Sequence, residues 1–398
     1  MKMQHTVLFM LFIFLPLANV SAQAQTPRSE NPDYFIEGGL RYGTALYHPE
    51  SFDYLKDFRF NSYEMRFGIQ THGKNAWERP LGNPVLGIAL RYTDYVDFSD
   101  PPLLRRQQRD TLGKNIAVFG YMQAPIVRWG CFTWHYQLGL GAACFTKKNE
   151  LISVHVNPYV SLQSGFDFRL SRRIDLTVNA NFVHASNASL NFPNWGINEI
   201  QGIAGVRYHF NNSENPGIKR RELFEKFKPH NALFVTVDPG WLWSRYNNWY
   251  YFKTGISAGY ERQLIPFLKA GAALEFHITN RLTQTREYQP VYEDGTSYEA
   301  PKTLFSSAAL AFGDLTFGRF AFSIGVGAYL FRSPADFDLA QAGAYSGTLS
   351  EMPWFYEKIG LKVSLGEKQN HYVGASIRAH FPVADYLAFT YGYRFWKF

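Results

Sequence analysis

His184 and Ser186 stand two residues apart in the run Phe182-Val183-His184-Ala185-Ser186-Asn187. On an extended strand that spacing is about 6.6 Å between Cα atoms, and both side chains point the same way. An imidazole nitrogen then reaches the hydroxyl. A Ser whose proton a His can take is the nucleophile–base pair of acyl transfer. The pair alone also suits a blander role, since a His and a Ser at a membrane interface hydrogen-bond lipid headgroups. These two residues by themselves leave both roles open.

The element that must position them reads as a strand. Thr177, Asn179 and Asn181 alternate with Leu176, Val178, Ala180 and Phe182, and His184 and Ser186 continue the second, apolar row. The same period of two recurs along the chain. In Tyr63-Glu64-Met65-Arg66-Phe67-Gly68-Ile69-Gln70 the odd positions are apolar. Trp134, Tyr136, Leu138 and Leu140 oppose His135, Gln137, Gly139 and Gly141, and Val160, Leu162, Phe166, Phe168 and Leu170 oppose Ser161, Gln163, Gly165, Asp167 and Arg169. Apolar residues on one face with charges and glycines on the other, over strands of ten or more residues, are what a barrel in lipid requires. Spanning strands need roughly 9–11 residues. A soluble β-sandwich also alternates, but the apolar face here carries many large aromatics.

Composition agrees. Of 398 residues, 17% are aromatic and only 18% charged, against about a quarter charged in a soluble domain. Tyr and Trp belong at the water interfaces of such a barrel. The net charge of +7 has no clustered basic face on a recognised nucleic-acid fold, which excludes nucleic-acid binding; it suits lipid phosphates. Lys2, the apolar run from Val7 to Val20, and Ser21-Ala22-Gln23-Ala24 read as a secretory signal peptide over residues 1–24. No Cys follows that run to take a lipid anchor. Cys131 and Cys144, thirteen residues apart, lie roughly 40 Å apart on one extended strand, too far for a disulfide. No metal-ligand cluster, phosphate-binding glycine loop or cofactor motif is present, so no cofactor is expected.

Strands are expected at about 33–47, 62–71, 85–98, 115–126, 132–146, 156–170, 174–186 and 198–210, and again at about 231–245, 249–263, 267–279, 304–316, 319–332, 354–365, 371–381 and 385–398. Asn211 to His230 between the sets is polar and reads as a linker. The expected architecture is all-β: two tandem eight-stranded antiparallel transmembrane barrels, residues 25–210 and 231–398. One sixteen-stranded barrel is the alternative, disfavoured because the linker is long for one periplasmic turn. Short turns at Ser171-Arg172-Arg173 and near Gly130, Pro266, Gly318 and Glu367, against long segments at 99–114, 280–303 and 333–353, place the short turns in the periplasm. The connection 72–84 does not fit, being long where a short turn is expected. Strand seven then runs outward, and His184 and Ser186 lie at the height of the outer leaflet. A polar pair facing lipid there is poor for stability and well placed to reach an ester of lipopolysaccharide.

The segment resembles the motif of the outer-membrane lipid A 3-O-deacylases, the PagL or acyloxyacyl hydrolase family. That pattern is similar to His-x-Ser-Asn, then Pro-Asn-x-Gly, then an acidic residue and a closing Tyr/Phe strand. Here stand His184, Ser186 and Asn187, then Pro193, Asn194 and Gly196, and finally Arg207-Tyr208-His209-Phe210. The resemblance covers about residues 31–210 and implies an eight-stranded barrel of the outer membrane whose Ser and His remove an ester-linked acyl chain from lipid A. Lipid A in the outer leaflet is the implied partner. Asn187 and Asn194 are the candidates for oxyanion or substrate positioning. The family's acidic residue falls on Asn198, with Glu199 next to it. Strand parity puts Asn198, and not Glu199, on the outward row beside His184. An Asn can orient a His but supplies no full negative charge to the imidazolium. In the second half, Ser376, Arg378 and His380 fall on the inward row, and no second site is expected; that half reads as a structural or partner-binding barrel. The competing functions are a non-catalytic barrel and a sixteen-stranded diffusion pore; the inward charges Glu64, Arg66, Asp167, Arg169 and Arg207 would form a plug of ion pairs in a small barrel or line water in a large one.

Overall fold

The computed structural model describes residues 33–46, 59–96, 106, 112–149, 151–188, 191, 196–211, 227–244, 249–281, 303–332, 354–380 and 383–397. The expected leader at 1–24, most of the 211–230 linker, and the segments 282–302 and 333–353 lie outside them.

Sixteen strands follow in order: β1 (Asp33–Ala45), β2 (Arg59–Gln70), β3 (Val85–Asp94), β4 (Lys114–Trp129), β5 (Phe132–Phe145), β6 (Val156–Arg169), β7 (Ile174–Ala185) and β8 (Ile197–His209), then β9 (His230–Ser244), β10 (Trp249–Ile265), β11 (Leu268–Arg281), β12 (Thr303–Phe317), β13 (Phe320–Arg332), β14 (Phe355–Leu365), β15 (His371–His380) and β16 (Val383–Lys397). All sequential pairs within each set are antiparallel. β1 closes on β8 and β9 on β16, giving two closed eight-stranded barrels. A single sixteen-stranded barrel is therefore not formed: each half satisfies its own strand edges.

Parity explains the closure. In β7 the residues Ile174, Leu176 and Val178 are exposed on the outside, while Asp175, Thr177, Asn179 and Asn181 are buried inside. An eight-stranded barrel is just wide enough for side chains to fill it, and charged pairs fill the first. Arg41 pairs with Glu64, Arg66 reaches Gln163 at 2.6 Å, and Arg207 bridges Glu37 (2.8 Å) and Asp167 (3.0 Å). Toward the outer end this polar column gives way to an apolar layer of Phe60, Tyr95, Leu112, Phe145, Leu151 and Ile152. The inward charges thus pack the interior as ion pairs and do not line a water channel. The second barrel repeats the device with Lys358–Glu275 (2.8 Å), Lys362–Asp314 (3.0 Å) and Arg394–Glu261 (2.6 Å). Gly68 shows how tight the packing is: a Cβ there would lie 2.3 Å from the Phe35 ring. Cys131 and Cys144 are both free.

Turn chemistry sets the hairpins. Gly130 takes φ 56° at the first position of the two-residue β4–β5 loop, the place where such a turn needs the left-handed region. The long 71–84 connection is an ordered cap. The Glu78 carboxylate accepts from the backbone N–H groups of Gly73 and Lys74, both at 2.8 Å, while Trp77 and Leu81 are buried. Arg128 of β4 donates to Gly82 O at 2.7 Å and ties the cap to the next hairpin.

Candidate active site

β7 and β8 present the site at their outer ends. His184 is directly opposite Asn198 on β8 and Val160 on β6. Its Nδ1–H donates to Asn198 Oδ1 at 2.8 Å. The amide oxygen has no proton to give, so it fixes the proton on Nδ1 and leaves Nε2 as the acceptor. Both residues are half-buried on the outward row.

Glu199, one residue on, points the other way. It is fully buried, accepting from Tyr95 Oη at 2.5 Å and Gln201 Nε2 at 2.7 Å and pairing with Arg91 at 3.3 Å. The register of β7 against β8 runs without a bulge from Ile174 to Ala185. The carboxylate therefore belongs to the interior and the amide to the site.

The start of β8 is pinned from several sides. Asn198 O accepts from Leu46 N at 2.8 Å, and Gly196 N donates to Leu151 O at 2.9 Å. Gly196 has φ 69°, which accounts for a glycine at that step of the Pro-Asn-x-Gly stretch. Beneath the outward row, Val183, Ala185 and Ile197 are fully buried against the apolar layer, giving the hairpin end a packed floor. Leu46, Leu151 and Tyr95 carry no sequence signal for this role. Gly196 was legible only as a member of the Pro-Asn-x-Gly motif.

Ser186 follows the last residue of β7, two positions after His184, and is 9% exposed. It is thus more enclosed than the lipid-facing row it was expected to continue. Asn187 is fully buried, and its Nδ2 donates to Asn191 O at 2.8 Å. Ala188 at φ 53° turns the chain out of the extended path. Pro193 and Asn194 lie outside the described residues.

A closed eight-stranded antiparallel barrel with an apolar outer wall and a charged, packed interior is a β-barrel of the outer-membrane class, and a His–Asn pair lies on its wall with a Ser two residues along the chain. The family model described as lipid A 3-O-deacylase (PagL) matches residues 61–207, and that of the acyloxyacyl hydrolase C-terminal domain matches residues 231–397. The chain belongs to this family of outer-membrane hydrolases that act on lipid A, with the C-terminal domain as its second half. No curated protein matches the chain. Among solved structures it is similar to Neisserial surface protein A (NspA), at 12% identity and TM-score 0.29, over 44% of this chain and 97% of that one. It is also similar to an outer membrane channel from Pseudomonas putida F1, at 8% identity and TM-score 0.21, over 95% and 100%.

In the second barrel Ser376, Arg378 and His380 are buried on the inward row. His380 stacks on Tyr329 with ring centroids 5.8 Å apart, and its Nε2 is 3.1 Å from Tyr329 Oη.

Proposed function

We propose that the chain is a Ser/His esterase that removes the acyl chain ester-linked at the 3-position of lipid A. The observation that carries this reading is the His184 Nδ1–Asn198 Oδ1 hydrogen bond on the outward row, with Ser186 two residues on. His184 Nε2 takes the proton of Ser186 as its Oγ attacks the ester carbonyl. The resulting imidazolium returns that proton to the departing sugar hydroxyl, leaving an acyl-serine. Water, deprotonated in turn by His184, releases the fatty acid and restores the serine. Asn198 holds the ring and its tautomer. Asn187 and Asn194 are assigned to the carbonyl oxygen and substrate positioning, Asn187 from a loop it also braces through Asn191. The outer-leaflet height of the site brings the lipid A ester to the barrel wall.

The test is mass spectrometry of lipid A from outer membranes with and without the protein. The expected result is loss of one 3-O-linked acyl chain with the wild type and none with Ser186→Ala, whose barrel folds normally. If Ser186→Ala deacylates lipid A at the wild-type rate, the nucleophile assignment is wrong.

A further inference from the structure

The end of the first barrel remote from His184 carries a charge pattern that the ester chemistry does not use. This is the end with the short β4–β5 and β6–β7 turns, hence the periplasmic one. Among the described residues there, the acidic groups Asp33, Glu78, Asp167 and Asp175 are buried, none more than 7% exposed. Each is engaged inside: Asp33 and Asp175 by His209, Asp167 by Arg207, and Glu78 by the backbone of its own turn. Arg207 is buried with Asp167, and Arg169 pairs with Asp175, while the remaining cations of this end reach the surface. Lys74, Arg172 and Arg173 are exposed, and Arg79, Arg128 and Arg169 are half-buried. They come from three successive hairpins, so they form a rim and not a single cluster.

Beside this rim, on the outer wall, lies an apolar belt. Trp129 is 74% exposed, next in sequence to Arg128, and Leu170 is 61% exposed, two residues before Arg172. Tyr208, whose hydroxyl is 3.4 Å from Arg173 Nη1, and Phe210 continue the belt. Cations set among exposed aromatics and aliphatics at the water boundary complement an amphiphile with an anionic head and acyl tails. A soluble partner would meet the cations but not the belt. Lipid A is in the other leaflet, across the full length of the strands.

We propose that this rim binds the phosphate headgroups of anionic phospholipids in the inner leaflet, fixing the depth of the first barrel independently of the site at His184. Each cation near such a surface contributes about fivefold to binding. The experiment uses the purified full chain in nonionic detergent at low salt, given equimolar phosphatidylglycerol and phosphatidylethanolamine, with bound lipid counted by native mass spectrometry. The wild type should retain phosphatidylglycerol in preference. Lys74→Ser, Arg172→Ser and Arg173→Ser together should weaken that binding by on the order of a hundredfold and leave phosphatidylethanolamine unchanged. Equal retention of the two lipids by the wild type overturns the proposal. So does an undiminished preference in the triple variant with folded, heat-modifiable gel migration. Should the triple variant fail to fold, the wild type in about 1 M salt decides, because the Debye length falls to about 3 Å there. The preference should vanish, and its persistence rejects the rim.

Discussion

Asn198 stands where the resemblance to the family motif implies an acid, and substitutions there test the proposed mechanism directly. Its one contact with the ring is a neutral hydrogen bond of 2.8 Å to His184 Nδ1. Such a bond contributes about 0.5–1.5 kcal/mol, and one to a charged group about 1.5–3 kcal/mol. During attack His184 becomes imidazolium. A carboxylate in place of the amide would then strengthen the contact by about 1–1.5 kcal/mol, and each 1.36 kcal/mol is a factor of ten in rate. Asn198→Asp should therefore raise the turnover of lipid A by roughly fivefold to tenfold. Asn198→Ala removes the bond and frees the ring to take the other tautomer, so it should slow turnover by at least about tenfold. The assay is release of fatty acid from purified lipid A in mixed micelles, with heat-modifiable gel migration showing that each variant is folded. The order expected is Asp above Asn above Ala. A folded Asn198→Ala as fast as the wild type refutes the orienting role. A folded Asn198→Asp slower than the wild type refutes the electrostatic argument, because nothing else on the outward row changes.

Two further outcomes follow from the fold. Glu199→Gln leaves Arg91 without its charged partner in the interior; removing one member of a buried pair costs about 3–5 kcal/mol at most, less here because the amide keeps hydrogen-bonding capacity. Thermal unfolding in detergent should show the loss, while the rate per folded molecule stays at the wild-type level; a folded but inactive Glu199→Gln would put the carboxylate in the chemistry. The fragment 25–215 contains every strand of the first closed barrel and should refold in detergent with heat-modifiable migration and the activity of the whole; refolding only in the presence of residues 231–398 would show that the second half is needed to close the first.

The alternation was legible because a small barrel in lipid gives each residue one of two environments. A strand such as Ile174–Ala185 needs no tertiary information to be sorted into rows. The His184–Asn198 pairing followed from the same parity, since an antiparallel hairpin puts opposite residues on one face. The strand ends were less legible. The fourth strand was expected to stop at 126, where Pro125 and Ile126 break the pattern; the structure absorbs that break as a register shift between Pro125 and Val127, and β4 continues to Trp129. The third was expected to reach 98, but β3 ends at Asp94, and Tyr95 turns inward to bond Glu199. Ser186 was expected to continue the outward row of the seventh strand, but β7 ends at Ala185 and the chain turns at Ala188. A register shift, a long-range contact and a local turn thus decide what a two-residue period cannot encode.

The two halves share an interior plan of buried ion pairs, yet the proposed Ser/His site belongs to the first, and among the described residues strand parity is the reason. A His and a Ser reach an outer-leaflet ester only from the outward row, because the interior is packed. In β7 the last outward position is His184, Ser186 follows just beyond the strand's end, and the antiparallel partner supplies Asn198. In β15 the comparable polar residues Ser376, Arg378 and His380 fall on the other row. There Arg378 lies 4.8 Å over the Tyr386 ring and 5.0 Å over that of Tyr356, and His380 stacks on Tyr329. These contacts hold the second barrel shut. Moving that His and Ser to the wall would take a one-residue slip of β15, which would turn Val373 and Ile377 inward and Arg378 into lipid. One or two substitutions in β15 therefore would not reproduce there the arrangement on which the proposed esterase chemistry of the β7–β8 hairpin rests.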